Sequence, residues 1–81
     1  MKLYLISQSE NQSYDSYDSA IVCAESEEDA KSIHPDGSVF TDNNFKYYDW
    51  ASKKENIIVE EIGEAIPTIK IGVVLASYNA G

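Results

Sequence analysis

The tetrapeptide Ser26-Glu27-Glu28-Asp29 is the helix-start signal around which this sequence has to organise. A serine hydroxyl placed to accept from an early backbone N–H, followed by carboxylates lying against the positive end of the helix dipole, is the pattern of a capped N-terminus. Ala30 and Ile33 supply a narrow apolar stripe. His34 falls at the negative end, where an imidazolium is favoured, and Pro35-Asp36-Gly37 stops the helix. About two turns result, fewer than a helix needs to persist alone in water. The helix must therefore dock through Ala30 and Ile33, and the flanking sequence supplies its support as strands.

Lys2 to Ser7 places Leu3 and Leu5 on one side of an extended chain and Tyr4 and Ile6 on the other, which predicts a central strand covered on both faces. Gln8 to Ser19 is polar, contains the doubled tripeptide Tyr14-Asp15-Ser16 and Tyr17-Asp18-Ser19, and reads as a long loop or irregular hairpin. Ala20 to Ala24, with β-branched Ile21 and Val22, is a second strand, in which Cys23 acts as a small buried hydrophobe. Ser38 to Glu55 mixes Val39, Phe40, Phe45, Tyr47, Tyr48 and Trp50 with polar residues at no clean period, a strand or loop followed by an irregular aromatic segment. Asn56 to Ile62 and Gly72 to Tyr78 read as strands three and four, joined by a long connection. The expected fold is a single α+β domain over residues 1–81, in two layers: a roughly four-stranded, mainly antiparallel sheet and one short helix.

Composition narrows the function. At 81 residues the chain buries only roughly 60% of its unfolded surface, too little for two lobes around a substrate cleft. Fourteen acidic residues stand against six basic ones, a net charge of −8, and all six cations are lysines. That balance repels a polyanion and lacks the bidentate arginine fork, so direct nucleic-acid binding is not expected. No run approaches the roughly 20 apolar residues of a membrane span, no export signal opens the chain, and one cysteine forms no intrachain disulfide, so the expected compartment is the cytoplasm.

Catalytic constellations are sparse. Cys23 and His34, the only thiol and the only imidazole, fall on separate elements with no orienting third group, and two such ligands do not fill a zinc shell. Asp15, Asp18 and the neighbouring serines lack the alternating ligands and terminal glutamate of a calcium loop. The glycines build no phosphate cradle. No catalytic residue, metal or cofactor is expected, and the chain reads as non-enzymatic.

Two features stand out. Aromatic and acidic residues interleave in Tyr14-Asp15-Ser16-Tyr17-Asp18 and in Tyr47-Tyr48-Asp49-Trp50, the composition of interface anchors ringed by charge, although Trp50 is favoured as a core residue. Ile66-Pro67-Thr68-Ile69-Lys70-Ile71 is an apolar loop that either folds back over the sheet, the favoured reading, or offers Ile66, Ile69 and Ile71 for homo-oligomerisation or a partner. Together they predict a binding protein whose acidic surface docks on a basic patch of another protein. Tyr14, Asp15, Tyr17, Asp18, Tyr47 and Asp49 are the expected contacts, with Glu27 and Glu28 supplying field. The alternatives are a sponge that stacks a signalling nucleotide on tyrosine or tryptophan, and an oligomeric structural protein.

Met1 to Gln8, the stretch Tyr14 to Ala20, the helix start Ala24 to Ala30 with Ile33-His34-Pro35, and the close Gly72 to Gly81 resemble small uncharacterised proteins of phages and prophages. That resemblance spans most of the chain apart from the middle and brings no catalytic motif. It implies a host-cytoplasmic role. By analogy of size and charge with anti-CRISPR proteins, it also implies an inhibitor of a host defence protein, docked on a basic surface that handles nucleic acid.

Overall fold

The computed structural model describes residues 1–10, 16–40 and 49–79, the last without its side chain. Four strands, β1 (Lys2–Ser7), β2 (Ser16–Ala24), β3 (Ile58–Glu64) and β4 (Gly72–Asn79), form one sheet in the order β3-β1-β2-β4, every neighbouring pair antiparallel. Helix α1 (Glu27–Lys31) and a single 3-10 turn (Lys54–Asn56) complete the elements. The expected small α+β fold with an antiparallel sheet and one short helix is what forms. Among the described residues no helix is long and apolar enough to cross a membrane.

The register explains how the sheet is covered. Tyr4 lies opposite Val22 and Ile6 opposite Ala20, with Val59 beside Ile6 and Ala76 beside Ala20. This face carries the core, closed from above by Ala30, Phe40, Trp50, Ala51 and Ile57, with Ile33 packed at its margin. Each large side chain removed from water here contributes about 1.5–3 kcal/mol. Trp50 is 3% exposed, as a core residue should be. The other face pairs Leu3 with Cys23, Leu5 with Ile21 and Ser7 with Ser19.

Coverage of β1 on both faces is not found. The strand is central, but nothing among the described residues lies over Leu3 and Leu5 as the core layer lies over Tyr4 and Ile6, and both remain half-buried. Cys23 is fully buried yet stands apart from the core cluster, because its register puts it on the opposite side of the sheet, with Sγ 4.0 Å from Met1 Sδ.

Strand β2 begins four residues earlier than its apolar run. The polar segment is recruited through its backbone: the Gln8 N–H and side-chain amide donate to the carbonyls of Asp18 and Tyr17, and the Tyr17 N–H donates to the Asp49 carbonyl at 2.7 Å. Asp18 is the extra residue of a bulge that turns Tyr17 toward the core side, where it packs against the cluster. A second bulge at Val74 interrupts β4, and a third at Ile62 interrupts β3, so both outer strands carry an irregularity that discourages edge-to-edge pairing.

Helix α1 is capped as its sequence requires, with the Ser26 hydroxyl accepting from the Asp29 N–H at 3.1 Å, and Ala30 is its one fully buried residue. It ends at Lys31, three residues before His34, because Ile33 leaves to pair with Val39 across a tight turn. Gly37, with φ of 96°, takes the left-handed conformation that this turn needs. The connection from β3 to β4 joins opposite edges of the sheet. It passes the end where Lys2 meets Glu64 and Cys23 meets Gly72, and the Ala65 N–H donates to the Met1 carbonyl. Two of its apolar side chains are not folded back over the sheet, Ile66 being 62% and Ile71 60% exposed, while Ile69 is half-buried.

Candidate functional site

The turn at residues 33–39 delivers His34 into a nearly closed space beneath Tyr17, Phe40 and Trp50, with ring centroids at 5.8, 6.3 and 6.4 Å. Nε2 lies 2.8 Å from Asp49 Oδ1. Nδ1 accepts the Asp36 backbone N–H at 3.0 Å, which assigns the proton to Nε2 and makes it a donor to Asp49. Asp36 Oδ1 also approaches Nδ1 at 3.0 Å while accepting from the Ser38 N–H and hydroxyl. Burial works to raise the Asp36 carboxyl, but the hydrogen bonds from the Ser38 hydroxyl and backbone N–H outweigh it and hold the group below the usual carboxylate range. Tyr17 is pushed up, first by burial and then by the charges of Asp36 and Asp49.

This cluster is a clasp. Asp49 joins the His34 turn through its carboxylate and β2 through its carbonyl, so one residue ties three segments together. His34, Asp36 and Asp49 have ligand atoms within 4.8 Å of one another. However, imidazole gives a metal one nitrogen, and here each nitrogen faces a different carboxylate. Acid–base work on a nucleophile needs a free ring nitrogen, and both are engaged; Cys23 lies across the sheet.

The residues read from sequence as partner contacts therefore separate. Tyr17 and Asp49 point inward to the clasp, with Tyr17 also edge-on to Tyr78 at 4.7 Å. His34 belongs to the clasp as well, rather than to a helix end. Asp18 is exposed at its bulge, and Glu27 and Glu28 are exposed on α1. Tyr14, Asp15 and Tyr47 lie outside the described residues.

Besides the exposed Ile66 and Ile71, two outward surfaces stand out among the described residues. On the core side, Glu25, Glu27, Glu28 and Asp29 crowd the start of α1, and among the described residues Glu25, Glu27 and Glu28 make no ion pair. On the other side the sheet is open. Reading across its strands, one row runs Glu60, Leu5, Ile21, Leu75 and the next Ile58, Ser7, Ser19, Ser77. Leu75 is 65% exposed, and with Leu5 and Ile21 it lines a shallow depression of about 260 Å³ edged by Ser19 and Ser77. Leu75, Glu60 and the half-exposed Tyr78 were not singled out from the sequence. The uninterrupted Val73-Val74-Leu75-Ala76 has no alternation to mark one side as exposed, and the sign that could have revealed them is the lack of a second helix to cover the sheet. Comparison with protein-family models, curated proteins and solved structures finds no match.

Proposed function

We propose that this chain is a non-enzymatic binding protein that recognises a basic surface on another protein. The observation carrying this reading is the placement of charge. Glu25, Glu27 and Glu28 project from one side of the fold without cationic partners among the described residues. Glu60, Glu61 and Glu64 line the outer strand β3, where among the described residues only Glu61 is in an ion pair, with Lys2. Lys2 is also the only cation carried by any of the four strands. A net charge of −8 on so small a body produces a field that speeds encounter with a positive partner.

The clasp supports a non-catalytic reading, since it uses up the chain's one imidazole. A nucleotide sponge would need cations for phosphate, and the strands offer none beyond Lys2. Following the resemblance to phage and prophage proteins, the partner belongs to the bacterial host, in a defence system whose basic surface normally handles nucleic acid.

Affinity capture from bacterial lysate tests this, comparing the unaltered chain with a variant neutralised on both sides of the fold, carrying Asp18→Asn, Glu27→Gln, Glu28→Gln and Glu60→Gln. One host protein retained by the first and lost by the second is expected. A band retained equally by both contradicts the reading.

A further inference from the structure

The open face of the sheet has a composition that selects its occupant. Leu5, Ile21 and Leu75 form its apolar centre, and Ile58 extends it along β3. Glu60 borders it on the outer strand β3, cross-strand from Leu5 and two residues from Ile58. No strand position on this face carries a cation, because the only strand lysine, Lys2, bonds to Glu61.

A second copy of the chain fits this face poorly. A two-fold contact lays a patch on itself, so each Glu60 would meet strand positions that carry no positive charge, between two bodies of net charge −8. An acidic group at the edge of an apolar field calls for a partner with the opposite pattern. The geometry points to an amphipathic helix of the partner protein, seating a large apolar side chain in the depression between Leu5, Ile21 and Leu75 and extending a lysine or arginine to Glu60. Glu60 lies two strands from Ile21, about 10 Å. A long cationic side chain one helical turn from the anchor covers that span. Flat sheet faces take helices as their natural cover, and the opposite face already does so with α1.

This inference rests on the reading of the chain as a binding protein, and it assigns the short-range contact to the side opposite Glu27 and Glu28. Those residues then contribute field only.

The test is a methyl-detected NMR titration of the full chain with a synthetic amphipathic helical peptide of leucine and lysine, against a control peptide with glutamate in place of lysine. The first peptide should shift Leu5, Ile21 and Leu75, and the control should not. Leu75→Ser, at an exposed site that leaves folding intact, should weaken binding by about tenfold, and Glu60→Gln by about threefold. Glu27→Gln with Glu28→Gln should change it by less than about threefold, since charges beyond a Debye length are screened. Binding unmoved by Leu75→Ser, but lost with Glu27→Gln and Glu28→Gln, overturns the assignment of this face and leaves the acidic-surface reading standing. Insensitivity to both variants overturns both. Shifts at Leu75 on simple dilution of the chain would show a second copy on this face and overturn the inference.

Discussion

Replacing Asp49 with alanine isolates the clasp. The substitution removes the acceptor 2.8 Å from His34 Nε2 but keeps the Asp49 carbonyl that receives the Tyr17 N–H. His34 has a side chain only 8% exposed, so its Nε2–H loses its partner where water has little access. Leaving a buried donor unsatisfied costs about 1–3 kcal/mol. A domain of this size has total stability of about 4–12 kcal/mol, and each kcal/mol moves its melting temperature by about 4–8 °C. The alanine variant should therefore melt about 5–20 °C lower by far-UV circular dichroism. Asp49→Asn keeps an acceptor oxygen and gives up the charge, so its loss should be smaller. An alanine variant melting within about 2 °C of the unaltered chain would refute the clasp as a structural tie.

Ser26→Ala removes the hydroxyl that accepts from the Asp29 N–H, and should cost about 0.5–2 kcal/mol in urea unfolding with an unchanged m-value. Among the described residues, two carboxyls are held below their ordinary range. For Glu10, burial opposes the shift, and hydrogen bonds from Ser52 and Asn56 overcome it; for Asp36, the Ser38 bonds do the same. Stability from a lowered carboxyl is present above its unfolded value and is lost as pH falls through the folded one. Melting temperature should therefore fall on acidification toward about pH 3, and less steeply in Glu10→Gln or Asp36→Asn.

Local signals carried much of this fold. The Ser26 cap, the apolar runs at Leu3–Ile6 and Ile21–Ala24, and the indole of Trp50 needed no knowledge of distant partners. What escaped the sequence depends on register. Strands consecutive in sequence, β3 and β4, ended on opposite edges of the sheet, and nothing local to either specifies that. Leu3 and Leu5 alternate with Tyr4 and Ile6, so all four residues look buried until the number of covering elements is known. His34 could be assigned to a helix end only while the helix was thought to reach it. The Ile33 to Val39 pairing, a contact across the turn, takes it to Asp49, fifteen residues away. The open sheet face was hidden for the same reason: Glu60 and Leu75 become part of one surface only through their cross-strand neighbours Leu5 and Ile21.

Recognition of a cationic partner by outward carboxylates is tested most directly by stopped-flow association of the chain with its captured partner across ionic strength. The rate constant should fall by at least about tenfold between about 20 mM and 500 mM salt. A rate that stays level over that range would contradict the account.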